Sequence, residues 1–94
     1  MIKSFGCKET ATLYNFRKIS TKFPGDIQER ARKKLRILNA AISLNDLKSP
    51  PSNRLHKLEK EWKGQWSISI NDQWRICFTW HEGNAYDVEI TDYH

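Results

Sequence analysis

Three consecutive residues at the end of the chain, Asp92, Tyr93 and His94, carry a carboxylic acid, a phenol and an imidazole. All three groups trade protons, and an imidazole does so nearest neutrality, with an unperturbed pKa of about 6.5. Chain ends usually fray and carry little chemistry, so a plain polar tail is the competing reading. Two further residues would complete an acid–base set. His56 stands between Leu55 and Lys57 and matters only if the fold brings it near the chain end. Arg75 stands between Trp74 and Ile76 in the middle of an alternating stretch. A guanidinium on a rigid strand suits a phosphate, because its planar fork donates two parallel hydrogen bonds. The plainer alternative is an arginine that only keeps a sheet face soluble.

The surroundings of these residues are basic. In "NRLHKLEKEWKG", Arg54, Lys57, Lys60 and Lys63 gather around His56, with Glu59 and Glu61 interleaved. This is either a mixed surface loop or part of a polyanion-binding surface. The helical stretch "ERARKKLR" is more strongly basic and reads equally as a solvated helix face. The formal net charge is +5, and such an excess of Lys and Arg favours polyanionic partners. His81, in the turn "HEGN", is given no role.

Other classes of protein are disfavoured. Cys7 and Cys77 lack the spacing of a zinc site and are expected to be free thiols. No glycine-rich phosphate loop is present, and neither a metal nor a cofactor is expected. No apolar run approaches the roughly 20 residues that cross a bilayer, and "MIKSFGCKET" has no signal-peptide core. A cytoplasmic address with no membrane partner is the expectation. A length of 94 residues suits one small domain, residues 1–94, and the 12% of aromatic residues is enough for a core rather than a disordered tail.

The elements that must position these groups follow from hydrophobic period. "MIKSF" alternates and reads as a short edge strand. "KETATLYNFRKI" sets Leu13, Phe16 and Ile19 at helical spacing, and "KFPGD" breaks the pattern with Pro24 and Gly25. In "DIQERARKKLRILNAAI", Ile27, Ala31, Leu35, Leu38 and Ile42 form one apolar stripe behind Asp26 as N-cap. Glu29, Arg32, Lys33 and Arg36 point away from that stripe. "SLNDLKSPPSN" reads as a helical turn and a stiff connector. From Arg54 the period becomes two. Trp66, Ile68 and Ile70, then Trp74, Ile76, Phe78 and Trp80, then Tyr86, Val88 and Ile90 line a dry face. Ser67, Ser69, Arg75 and Thr79 line the wet one. Asn71-Asp72 and Glu82-Gly83-Asn84 are hairpin links. The pattern predicts an α+β domain, with two N-terminal helices packed on one face of a small, mainly antiparallel sheet. In strict alternation Asp92 and His94 share the dry side with Val88 and Ile90, so either the strand ends or bulges near Thr91 or the tail curls around the sheet edge.

Taken together, "MIKSF", "NRLHKLEKEWKGQWSISINDQWRICFTW" and "DVEITDYH" resemble the HigB toxins, a branch of the RelE/ParE toxin superfamily. The resemblance spans essentially the whole chain. It implies a RelE-like, microbial-RNase-like fold and the toxin half of a type II toxin–antitoxin system. The implied activity is that of an mRNA interferase, an endoribonuclease that cuts messenger RNA in the ribosomal decoding site and stops translation and growth. The implied partners are a HigA-like helix-turn-helix antitoxin, the ribosome and mRNA, with operator DNA reached only through the antitoxin. By motif match, the catalytic set falls on His56, Arg75, Asp92, Tyr93 and His94, and Arg54, Lys57, Lys60 and Lys63 would bind RNA. An alternative within the superfamily is a ParE-like toxin that inhibits DNA gyrase by binding, without nuclease chemistry. The terminal imidazole and carboxylate favour cleavage. RNA carries its own nucleophile, the 2′-hydroxyl. The enzyme therefore needs one group to remove its proton, one to protonate the leaving 5′-oxygen, and a cation to stabilise the transition state.

Overall fold

An apolar stripe at helical spacing and a sheet face of period two each need a covering layer, and each can supply the other's. The computed structural model describes residues 1–16, 22–58 and 64–92. Helices α1 (Lys8–Phe16) and α2 (Gly25–Ala40) come first in the chain. Two 3₁₀ turns, Leu44–Lys48 and Pro51–Asn53, then lead into strands β1 (His56–Lys57), β2 (Gln65–Ser69), β3 (Trp74–His81) and β4 (Asn84–Asp92). The strands pair antiparallel in the order β1-β2-β3-β4. Leu13 of α1 and Ile27, Ala31, Leu35 and Leu38 of α2 are buried against Ile68, Ile76, Phe78, Val88 and Ile90 of the sheet. Trp66, Trp74 and Trp80 pack partly buried at the margin of this core. The α+β expectation therefore holds, with both helices in the chain's first half.

The alternating opener is an edge element, running parallel to β4. Ile2 pairs with Ala85 and Phe5 with Val88, and the Lys3 and Gly6 amides donate to the Ala85 and Val88 carbonyls at 2.8 Å. At the β3–β4 hairpin, Glu82 (φ 48°) and Gly83 (φ 79°) both take positive φ. That is the backbone of a two-residue turn whose twist matches the strands. Asn84 belongs to β4 and pairs with His81.

Several expectations need correction. Helix α2 is preceded by Pro24, with no side-chain cap bond, and Asp26 lies in its first turn rather than at its N-cap. Ala41 adopts an extended backbone (ψ 137°), which ends the helix and takes Ile42 off the stripe, leaving it 81% exposed. Phe16 at the end of α1 is also exposed, and Ile19 lies outside the described residues. Arg32 does not point into solvent. It is buried, with Nε donating to the Leu13 carbonyl at 3.2 Å and Nη1 to Glu29 Oε2 at 2.7 Å, so it ties the end of α1 to α2.

No bulge falls near Thr91: β4 stays in register through Asp92, which keeps the side of Val88 and Ile90, and the irregularity lies earlier, where it does not turn Asp92. Between Cys77 and Thr79 the register shifts, because Cys77 pairs with Glu89 but Thr79 with Tyr86. Asp87 sits in the extra space with φ 52°, as a β-bulge allows. The bulge turns Tyr86 to the side of Thr79, and Ala85 takes the buried position instead. Beyond it β4 runs in register to Asp92.

Candidate active site on the open sheet face

In an antiparallel ladder, directly opposed residues project to the same side. Register therefore shows which side chains share a face. His56 pairs with Ser67, Ser67 with Cys77, and Cys77 with Glu89. That row crosses all four strands on the side away from the helices. The adjoining row is Ser69, Arg75 and Thr91. His56, exposed on the edge strand β1, and Arg75, half-buried on β3, thus face the same way.

The Arg75 side chain is held by more than its strand. Its Nε donates to Ser67 Oγ at 2.8 Å, and its Nη2 donates to the Arg54 carbonyl at 3.0 Å. These two bonds lay the guanidinium across β2 toward the start of β1, two residues before His56. Arg54 takes a left-handed backbone (φ 45°) at the end of the second 3₁₀ turn, which aims its carbonyl at Arg75. The wet face is therefore drier than the alternation implied. Ser67 is fully buried and Ser69 nearly so, its hydroxyl donating to the Asn71 carbonyl at 2.7 Å. They serve as hydrogen-bonding floor rather than solvent-facing polar groups. Thr79 is half-buried.

Asp92 stands apart from this face. It pairs with Trp74, which packs edge-on against Phe23 on the helix side. The register places Asp92 on the same side as Trp74, at the open end of the sheet. It is exposed there, and Gln73 Nε2 donates to Oδ2 at 3.3 Å. Its neighbour Thr91 is the residue opposite Arg75. Tyr93, His94, Lys60 and Lys63 lie outside the described residues. Of the expected RNA-binding cations, Arg54 and Lys57 are exposed beside His56.

Two residues on the face had no role in the sequence reading. Cys77 lies at its centre between Ser67 and Glu89. Burial pushes its thiol pKa up, a hydrogen bond with Thr91 opposing the shift, so the group is mostly uncharged at neutral pH. Both cysteines are free. Plain alternation against Val88 and Ile90 already sets Glu89 on the wet face; its place opposite Cys77 follows only from the strand register. Among the described residues, no group of three or more His, Cys, Asp or Glu side chains could hold a metal ion. None of the described helices is long and apolar enough to cross a membrane.

A helix-covered antiparallel sheet with an arginine and a histidine on its uncovered face fits the RelE-like class of small toxins. A family model described as "RelE-like toxin of type II toxin-antitoxin system HigB" matches residues 3–94. Toxin HigB-1 of Vibrio cholerae is 40% identical over 67 residues, which cover 71% of this chain and 70% of that protein. Endoribonuclease HigB of Proteus vulgaris is 31% identical over 94 residues, the full length of both chains. The chain belongs to the HigB-like toxin family. Membership in a toxin–antitoxin system implies an antitoxin as its partner.

Proposed function

We propose that this chain is a ribosome-dependent endoribonuclease that cuts messenger RNA in the decoding site. The shared face of His56 and Arg75 is the observation that carries the reading, and the full-length likeness to a protein named endoribonuclease supports it. Arg75, anchored on Ser67 and the Arg54 carbonyl, stabilises the extra negative charge that develops on the phosphate, a large contribution in sites of this kind. His56 transfers a proton on one side of that phosphate. Asp92, which stands at the open end of the sheet rather than on the Arg75 face, is proposed with Tyr93 and His94 to supply the second proton-transfer group, and Tyr93 to stack on a base or donate a hydrogen bond. The 2′-hydroxyl is the nucleophile, so no step of this scheme calls on a metal.

Arg54, Lys57, Lys60 and Lys63 hold the strand by its phosphates. The antitoxin is HigA-like, and the toxin acts in the cytoplasm as one domain of residues 1–94. The decisive experiment maps messenger 5′ ends in cells after induction of the intact chain and of a chain cut before Asp92. New ends within translated codons should follow the intact chain alone. DNA damage with intact messages would overturn the reading in favour of gyrase poisoning.

A further inference from the structure

A second basic feature joins Arg54 to two cations given no role so far, Arg30 and Lys34. A cavity of about 260 Å³ opens where α2, the second 3₁₀ turn and the β2–β3 turn meet. Its lining includes Arg30, Lys34 and Arg54, with Ser52, Asn71 and Asp72 among the rest. Among the described residues, three cations thus face one carboxylate. That carboxylate is weakly engaged, since Arg54 Nη1 and Asp72 Oδ1 are 3.4 Å apart and both side chains are largely exposed. Arg30 Nη1 donates to the Ile70 carbonyl at 3.5 Å, a long bond.

Lys34 is the unusual member, being 7% exposed. Its ammonium donates to two neutral oxygens, Ser52 Oγ at 3.2 Å and Asn53 Oδ1. An ammonium taken out of water and, among the described residues, bonded to no carboxylate is costly, and both burial and the nearby Arg30 push its pKa down. An anion in the cavity would offset both effects. A lysine kept only for packing would gain nothing from Arg30 and Arg54 lining the same space.

The cavity adjoins the candidate active site. Arg54 lines it with its side chain while its carbonyl holds Arg75. Ser69, also in the lining, is the cross-strand partner of Arg75. We propose that Arg30, Lys34 and Arg54 bind a second, non-reacting phosphodiester of the same RNA strand that crosses Arg75. This rests on the nuclease reading above. Grip on a phosphate remote from the reacting one holds the strand in register and lets binding energy serve the chemical step.

The test is binding of the purified chain to a fluorescent 2′-O-methyl oligoribonucleotide, which lacks the nucleophile and stays uncut, across a range of KCl concentrations. Arg30→Gln, at an exposed position, should weaken binding and reduce the slope of log K against log salt by about 0.7, the value for one single-strand phosphate contact. Lys34→Met should do the same, with its melting temperature checking that it folds. Asp72→Asn, which removes the competing carboxylate, should tighten binding. Lys33→Gln, on the exposed side of α2, should leave the slope unchanged. Equal losses from Lys33 and Arg30 would overturn the proposal in favour of a general basic surface. A wild-type slope in Arg30→Gln, with the slope lowered in Arg75→Gln, would overturn it and leave the nuclease reading intact. If His56 and Arg75 variants still cut messages in cells, the nuclease reading fails, whatever the cavity variants do.

Discussion

At the scale of single residues, the site depends on how firmly Arg75 is aimed. A free arginine samples many rotamers, and ordering it costs up to about 2 kcal/mol. Here its Nε and Nη2 are each committed to a fixed oxygen, Ser67 Oγ and the Arg54 carbonyl, so much of that ordering is done before substrate arrives. Arg75→Gln is expected to lower the rate of message cleavage by about 10²–10³-fold, as loss of a positioned transition-state donor does in other enzymes. Arg75→Lys keeps the charge but loses the planar fork, and should recover only part of that rate. His56→Gln should cost about 10²–10⁴-fold, the range for one general acid or base. Ribosome-bound cleavage assays on the three variants, beside thermal melts that check folding, read these effects. His56 and Arg75 were both legible in the sequence as candidates. Their shared face was not, because it follows from the pairing of His56 with Ser67 between β1 and β2, and register is a property of two strands rather than of either alone.

At the scale of elements, a buried polar knot fixes the segment that carries Arg54 and His56. Asn53 is fully buried. Its Nδ2 donates to the Leu47 carbonyl at 3.1 Å and to the Ser49 carbonyl at 3.2 Å, while its Oδ1 accepts from Lys34 of α2. The two 3₁₀ turns are thereby pinned to each other and to the helix. Asn53→Ala leaves those carbonyls and an ammonium without their partner, a loss of about 1–3 kcal/mol per stranded buried group. The melting temperature should fall by at least 4 °C, given about 4–8 °C per kcal/mol for a domain this small, and cleavage should fall with it as Arg54 loses its place.

Lys34 adds a pH dependence. Its pKa in the folded chain is lowered from 10.5, first by burial. The unfolded chain therefore binds more protons between the lowered value and 10.5, and stability contributed by this residue rises with pH across that window. Compared with Lys34→Met, the wild type should gain in melting temperature as pH climbs toward 10.5, and show no change in the difference at pH values below the lowered pKa. Little of this was readable in advance. The apolar stripe of α2 and the alternation of β2 and β3 announce themselves by period, and they produced the right architecture. Asn53, Arg32 and Lys34 are buried by hydrogen bonds to distant partners, which leave no period in the sequence. The bulge at Asp87 was likewise hidden, since the alternation of Tyr86, Val88 and Ile90 continues through it unbroken.

At the scale of the whole molecule, the candidate site is open and shallow. His56 and Asp92 are exposed, and Arg75 is half-buried. A pocket that surrounded the strand would hold the 2′-hydroxyl in line with the phosphate by itself, and such orientation is worth as much as about 7–11 kcal/mol. An open β-face supplies little of it. In the proposed scheme the ribosome, which holds the message in a fixed path, would supply the remainder, and the net charge of +5 would draw the toxin to that polyanionic surface. Two outcomes follow. Purified RNA without ribosomes should be cut very slowly, whereas the same message on programmed ribosomes is cut rapidly. Affinity for the ribosome should fall steeply and linearly on a log–log plot as salt rises, because each neutralised phosphate releases counterions. Primer extension on naked and ribosome-bound message, with ribosome pelleting at increasing KCl, measures both. Fast cutting of bare RNA would mean that this face orients its substrate unaided, and the division of labour between toxin and ribosome would have to be abandoned.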